Sequence, residues 1–190
     1  MIQNSFRINS GLNKGLKFKY PSITGLRPTK SIIKETLFNW LQFSIQNAKV
    51  LDLFSGSGSL SFEAISREAS SVVLIENDRT AFKFLKENTK DLQTNCSIKV
   101  INEDALNFIG KIKKVKFDII FLDPPFYKDL ISKTLQRISE SKIVLSNSKI
   151  YIESEFEISN FFLEKFLTKE FNLLKQKKTG DVFFCLIEIL

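Results

Sequence analysis

The sequence predicts a doubly wound α/β domain built on a mostly parallel sheet, and three observations carry that reading. From residue 49 onward, short and nearly all-apolar segments alternate with segments of helical periodicity, the pattern of strands covered on both faces. The first apolar segment runs straight into Ser55-Gly56-Ser57-Gly58, a turn placed where open α/β sheets bind ligands. The chain ends in two strand-like segments around Thr179-Gly180-Asp181, which predicts an antiparallel hairpin.

Residues 1–28 read as a basic, loop-rich N-terminal arm, an extension rather than an independent domain, and 29–190 as the main domain. Within the arm, Phe6-Arg7-Ile8 suits a short strand, and Leu16-Lys17-Phe18-Lys19-Tyr20 alternates apolar with polar side chains at period two. Pro21, Gly25 and Pro28 interrupt regular structure. Thr29 is the expected N-cap of a helix running to about residue 46, with Ile33, Leu37, Leu41 and Ile45 on its apolar face.

Lys49–Leu53 is the first strand of the alternation, followed by a helix over 59–69. Val72–Ile75 is the next strand, and a helix from Arg79 to Leu92 places Ala81, Phe82, Leu85 and Leu92 on one face. Ile98–Ile101 and Phe117–Leu122 are further strands, a helix spans 129–140, and Lys149–Ile152 is a fifth strand. The terminal hairpin pairs 170–178 with 182–189.

Composition removes several classes of chemistry. The chain of 190 residues contains no His, which excludes Ser-His-Asp triads and most transition-metal sites. No carboxylate cluster with metal-ligand spacing stands out, so no metal is expected. Cys96 and Cys185 form no CxxC pair, and no apolar run reaches the roughly 20 residues of a membrane span. With no secretory signal at the N-terminus, a cytoplasmic protein is expected.

Charge is unevenly distributed. The net charge is +7, and residues 1–49 hold eight basic residues against the single acid Glu35, whereas 50–190 are balanced. A local basic surface of this kind attracts polyanions. Arg7, Lys14, Lys17, Arg27 and Lys34 are the candidate contacts to nucleic acid.

The glycine turn, Asp52-Leu53-Phe54-Ser55-Gly56-Ser57-Gly58, lets the backbone approach a ligand closely. Any tight strand-to-helix turn uses the same glycines, so the ligand is narrowed by what is absent. No Gly-Lys-Ser/Thr follows, which excludes a P-loop. Ser61 replaces the third glycine of the dinucleotide fingerprint, which disfavours a nicotinamide oxidoreductase. Glu76, with Asn77 beside it, ends the next strand where an acid can accept from ribose hydroxyls. Asp104 precedes Ala105, where a carboxylate can accept from an adenine amino group or cap a helix.

Asp123-Pro124-Pro125-Phe126 ends the strand Phe117–Leu122. Prolines cannot donate to a sheet ladder, so they stiffen the loop and leave the Pro124 carbonyl without a strand partner. Asp123 and that carbonyl can both accept from one NH₂ group. Phe126 can stack on the ring that bears it, a contact worth about 1–3 kcal/mol per base. These parts suit methyl transfer to a conjugated exocyclic amine. S-adenosylmethionine carries an activated methyl, so alignment and electrostatics supply what remains.

The sequence resembles the RsmD family of bacterial 16S ribosomal RNA guanine-N2 methyltransferases over nearly its whole length. The resemblance rests on Gly25-Leu26-Arg27-Pro28-Thr29, Glu35-Thr36-Leu37-Phe38-Asn39-Trp40-Leu41, the segment Leu51–Gly58, Asp123–Phe126 and Tyr151-Ile152-Glu153-Ser154-Glu155. It implies a Rossmann-like class I methyltransferase with a seven-stranded sheet and an antiparallel last strand. It implies transfer of one methyl from S-adenosylmethionine to N2 of the guanine at position 966 of 16S rRNA, within the 30S subunit or its assembly intermediate, by a monomeric enzyme. Asp52, Phe54, Ser55, Gly56, Gly58, Glu76, Asn77, Asp104 and Ala105 would then hold the cofactor, and Asp123, Pro124, Pro125 and Phe126 the guanine. The arm departs from the family at Lys14-Gly15-Leu16-Lys17, where one positive charge is replaced by Leu16. Glu153, Glu155 and Glu157 read as a polar loop. Two other readings compete: an adenine-N6 methyltransferase acting on DNA or RNA, and a catalytically silent rRNA-binding assembly factor.

Overall fold

The computed structural model describes residues 4–26 and 28–190. Its strands are β1 (Asn4–Arg7), β2 (Lys17–Tyr20), β3 (Lys49–Asp52), β4 (Ser71–Glu76), β5 (Ser97–Asn102), β6 (Phe117–Leu122), β7 (Val144–Ser154), β8 (Phe171–Thr179) and β9 (Val182–Ile189). Its helices are α1 (Ser31–Trp40), α2 (Ser59–Ser66), α3 (Arg79–Asn88), α4 (Ala105–Lys111), α5 (Leu130–Glu140) and α6 (Asn160–Phe166). Among the described residues no helix is long and apolar enough to cross a membrane.

Seven strands form one sheet in the order β5-β4-β3-β6-β7-β9-β8. The pairs through β7 are parallel, and β9 joins β7 and β8 antiparallel, as expected of a terminal hairpin. Alternating side chains serve two cores. Val50, Val72, Leu74, Ile119, Phe121 and Tyr151 face α1, α2 and the N-terminal segment. Leu51, Ile75, Ile120, Leu122, Ile150 and Ile152 face α4, α5 and α6. Burial on both faces is why these strands read as unbroken apolar runs.

Several elements differ from the sequence expectation. The two strands expected in the N-terminal segment form and, beyond that expectation, pair with each other: β1 and β2 are antiparallel, with Phe6 opposite Phe18. Phe6, Phe18 and Tyr20 are buried, and the Phe18 and Phe62 rings meet edge to face at 4.9 Å. α1 begins at Ser31 and ends at Trp40, so Thr29 is not its cap. The apolar spacing continues to Ile45 because Leu41 and Ile45 stay buried through turns after the helix. The helix expected to reach Leu92 stops at Asn88 and closes with a short 3-10 turn.

β7 is longer than Lys149–Ile152 in both directions. Its polar start hid it, because Ser148 satisfies the irregular backbone there. The Ser148 hydroxyl accepts from Leu145 N at 2.7 Å and donates to Phe117 O at 2.8 Å. Glu153 therefore lies in a strand, not in a polar loop. α6 was not anticipated; its N-cap, Ser159, accepts from Phe162 N at 3.2 Å.

Lys34 is not a nucleic-acid contact. Its side chain is 2% exposed and lies 3.1 Å from Glu63, which is fully buried. The sequence shows only a lysine in a basic segment, whereas the fold turns this one inward. Burial lowers its pKa and the Glu63 charge opposes that shift. Lys34 Nζ also donates to Arg7 O at 2.7 Å, and Glu63 accepts from Asn9 N at 2.8 Å and Arg67 Nε at 3.0 Å. One carboxylate thus ties the N-terminal hairpin, α1 and α2 together.

Breaking a buried ion pair leaves a charge uncompensated and costs about 3–5 kcal/mol. Glu63→Ala should destabilise the fold by that order in urea unfolding. Lys34→Met should cost less, because it leaves Glu63 paired with Arg67. Equal or reversed costs would mean that Glu63 is not the hub.

Candidate active site

β3 and β6 lie side by side, with Asp52 in register with Phe121. The chain runs outward from β3 through β4 to β5, then returns to the other side of β3 as β6. Loops leaving neighbouring strands diverge at such a reversal and open a crevice at their carboxyl ends. The glycine turn leaves β3 there, and the Asp-Pro-Pro-Phe loop leaves β6 beside it.

The turn is held closely. Ser55 N donates to Ile75 O at 3.0 Å, and the Ser55 hydroxyl to Asp52 O at 3.2 Å. Gly58 N donates to Ser55 O at 2.7 Å. Gly58 has φ +85°, a conformation that requires glycine, and a Cβ there would also press on Leu85 Cδ2 at 2.7 Å. Phe54 is half-buried against the core on the α4 side.

Glu76 shapes the turn from the end of β4. One carboxylate oxygen accepts from Gly56 N at 2.7 Å and the other from Asp78 N at 2.7 Å. Burial raises its pKa, while the backbone donors pull it back. A carboxylate offers about four lone-pair sites, more than the three backbone donors of Gly56, Asn77 and Asp78 occupy, so it can still accept from a ligand. Asn77 is exposed beside it, and its carbonyl accepts from Asn102 Nδ2 at 3.0 Å. Asp104 caps α4 by accepting from Asn107 N at 3.0 Å, and Ala105 is the buried first residue of that helix.

Asp52 is buried at the end of β3. Its Oδ2 accepts from the Ser61 hydroxyl at 2.6 Å, whereas its Oδ1 is buried without a well-formed hydrogen bond. Burial raises its pKa to about 7; Ser61 and the Phe54 backbone oppose the rise, and the charges of Asp123 and Glu76 add to it. A buried carboxylate oxygen without a donor is costly in the free protein. It suits a cationic ligand carrying N–H donors, which fits the residues of this turn to S-adenosylmethionine.

In the neighbouring loop Asp123 is half-buried, Pro124 buried and Pro125 exposed, and Phe126 packs partly against the core on the α1 side. Thr29, expected as a helix cap, instead donates its hydroxyl to Asp123 Oδ2 at 3.4 Å, and its N–H donates to Ser59 Oγ at 3.2 Å. It thereby links the β6 loop to the start of α2. Glu155 Oε1 accepts from Tyr127 N at 2.7 Å, which holds the far end of the loop. Thr29, Ser59, Ser61 and Glu155 are contributions that sequence reasoning missed. Small hydroxyls and a post-strand acid carry no pattern until the sheet brings their partners to them.

The candidate nucleic-acid contacts separate. Arg7, Lys14 and Lys17 are exposed on the N-terminal hairpin. Arg27 lies outside the described residues. Lys14 belongs to a turn that docks on the C-terminal end of α2, where Leu12 N donates to Ser66 O at 2.8 Å and Asn13 N to Ser66 Oγ at 2.9 Å. That end is about 12 Å, the length of an eight-residue helix, from the glycine turn.

Comparison with known proteins agrees with this geometry. The model of the family described as conserved hypothetical protein 95 matches residues 6–188. Ribosomal RNA small subunit methyltransferase D of Buchnera aphidicola is 39% identical over 175 residues, covering 92% of this chain and 88% of that protein. The protein of the same name from Haemophilus influenzae is 39% identical over 185 residues, covering 96% of this chain and 93% of its own length. The solved structure of the Escherichia coli protein yhhF is 34% identical and superposes with a TM-score of 0.85 over 98% of each chain. The chain belongs to the conserved hypothetical protein 95 family, the RsmD family of its relatives named ribosomal RNA small subunit methyltransferase D.

Proposed function

We propose that the protein transfers a methyl group from S-adenosylmethionine to the exocyclic N2 of a guanine in 16S rRNA, on the 30S subunit or its assembly intermediate, acting as a cytoplasmic monomer. The observation that carries this reading is the Asp123–Phe126 loop, set beside the glycine turn at the strand-order reversal. The names of the relatives support the rRNA substrate.

S-adenosylmethionine, when bound, supplies a methyl already activated by a sulfonium. Asp52, Phe54, Ser55, Gly56, Gly58, Glu76, Asn77, Asp104 and Ala105 would hold it. Asp123 and the Pro124 carbonyl accept the two hydrogens of the target amine. That turns a lone pair otherwise shared with the ring toward the donor. Phe126 stacks on the base, and Pro124 and Pro125 keep the acceptors in place. Positive charge develops on the amine nitrogen as the new bond forms, and the Asp123 carboxylate favours it without reorganising. Thr29 holds that carboxylate through Oδ2.

Arg7, Lys14, Lys17 and Arg27 would contact RNA phosphates. The base enters a site lined by carboxylates, so phosphate binding and base capture fall to different surfaces.

The first experiment is transfer of labelled methyl to unmethylated 30S particles, with naked 16S rRNA and duplex DNA in parallel. Label on guanine N2 in the particle is expected. Label on adenine would move the assignment to an adenine-N6 enzyme, and tight binding without label would favour an assembly factor. Asp123→Ala should lower kcat by at least about 10²-fold with cofactor affinity largely kept. Parallel loss of both would remove Asp123 from the proposed role.

Reversing Arg7, Lys14 and Lys17 together should weaken particle binding and flatten its dependence on salt. An unchanged slope would place the RNA contact elsewhere.

Binding a cation favours ionised Asp52, whose pKa is raised to about 7 in the free protein. Cofactor affinity should therefore rise with pH through that value, with proton release measurable by calorimetry. The unfolded carboxyl ionises near 3.8. Between there and about 7 the folded state holds the extra proton, so the stability of the ligand-free protein falls as pH climbs and levels off above. Asp52→Asn should remove both the pH step in affinity and the slope in stability. Persistence of either would assign it to another group.

A further inference from the structure

Glu153 is a carboxylate the transfer step does not use, yet it lies at the site. The parallel register of β6 and β7 runs through Leu122 opposite Ile152, so the next residues, Asp123 and Glu153, stand abreast at the carboxyl edge. Alternation puts Asp123 on the sheet face of Phe121, and Glu153 on that of Tyr151. The Phe121 and Tyr151 rings meet edge to face at 6.3 Å, which makes these one and the same face. Glu153 is 4% exposed and accepts from the Tyr151 hydroxyl at 2.9 Å. Burial, then the charges of Glu153 and Asp123, hold the Tyr151 pKa well above its ordinary value, so this hydroxyl stays a donor. Both carboxylates thus act on the same buried point.

Keeping a carboxylate buried is expensive, and replacing a buried polar pair together with well-packed apolar residues is often neutral or better for stability. A task in recognition would account for it. The Asp-Pro-Pro-Phe loop holds an exocyclic amine, which guanine presents at N2 and adenine at N6. The ring nitrogen beside that amine differs. Guanine N1 carries a proton, whereas adenine N1 carries a lone pair. A carboxylate abreast of the amine acceptor attracts the first and repels the second.

We infer that Glu153 selects guanine, its carboxylate accepting the N1–H of the extruded base while Asp123 and the Pro124 carbonyl hold the amine. This rests on the guanine reading above. Two carboxylates on adjacent strands stand about 4.8 Å apart at the backbone, a spacing from which side chains can reach neighbouring donors on one base edge. Tyr151 positions Glu153 and does not itself touch the base.

The test uses 30S particles reconstituted with 16S rRNA carrying 2-aminopurine at the target. That base keeps the 2-amino group but has a lone pair at N1. Wild-type protein should prefer guanine by about 10²-fold or more in kcat/KM, the discrimination expected of a site built around a donor the analogue lacks. Glu153→Gln keeps an acceptor for Tyr151 and can donate to N1. Its preference should fall to within about tenfold, with melting temperature and cofactor affinity unchanged. Tyr151→Phe, which keeps the Glu153 carboxylate but removes its anchor, should lower the preference less than Glu153→Gln does.

Equal use of both bases by the wild-type protein would overturn the inference without recourse to any variant. So would a folded Glu153→Gln protein that keeps the full preference, or one that loses both substrates in proportion. Wild-type label on adenine would instead overturn the guanine reading, and this assignment with it.

Discussion

The parallel pairing of β3 with β6 is the constraint on which the site depends. These strands become neighbours only because the chain lays down β4 and β5 on one side and then crosses back. The crossing splits the loops at the carboxyl edge and sets Asp123 close enough to Asp52 for its charge to raise the Asp52 pKa. Had β6 added beyond β5, the glycine turn and the Asp-Pro-Pro-Phe loop would sit at separate points on the edge. The parts would be intact and the crevice absent. Alignment of donor and amine, which makes up most of the chemistry asked of this protein, is thus a property of strand order before it is a property of any side chain.

The edge is electrostatically strained in a directed way. Asp52 and Glu76 end strands there, Asp123 follows β6 and Glu153 is the penultimate residue of β7, in a chain whose net charge is +7. Burial pushes Asp52 and Glu76 toward their neutral forms. Local donors offset that push, Ser61 for Asp52 and backbone N–H groups for Glu76, while Thr29 donates to Asp123 and Tyr151 to Glu153. Offsetting it fully would leave the site indifferent to cations. The buried Asp52 Oδ1, with no well-formed hydrogen bond, shows that the compensation stops short. On the proposed reading a positively charged methyl donor completes what the fold leaves open, which ties the cost of the free protein to its affinity for one kind of ligand.

Much of this could be read from the chain, for identifiable reasons. Strands buried on both faces are continuous apolar runs, so Phe117–Leu122 was placed to the residue. The glycine turn and the two prolines are backbone devices, and backbone devices survive in sequence as residue types. Lys34 was misread because a lysine looks the same whether it faces solvent or a carboxylate on another helix, and Glu63 gave no sign of being that partner. β7 was shortened in the reading because Ser146-Asn147-Ser148 imitates a loop, when Ser148 in fact supplies the missing ladder bonds. Thr29 illustrates the deeper limit. Its residue type suited a cap, and only the position of Asp123 across the crevice decides otherwise.

The sequence reads the N-terminal segment as a basic, loop-rich extension, and its attachment makes it a fixed one. Asn13 exchanges two hydrogen bonds with the Gln93 backbone, at 2.9 and 2.8 Å. A Cβ on Gly11 would fall 1.9 Å from Ser66 O, so the turn is seated against α2 with no room to spare. Phe6 and Phe18 bury their rings in the core, and Glu63 bonds the Asn9 backbone directly. Basic side chains on such a frame keep a set distance from the catalytic loop instead of wrapping whatever strand arrives. On the proposed reading, phosphates are gripped near Lys14 at the end of α2 remote from the glycine turn, and the base is held at Asp123 beside that turn. A short single strand spans that gap only by surrendering conformational freedom, whereas a folded RNA surface presents both ends at once. On that reading a fixed basic hairpin is better matched to a structured ribosomal target than to an isolated strand, and the buried Lys34–Glu63 pair would serve substrate choice by fixing the hairpin.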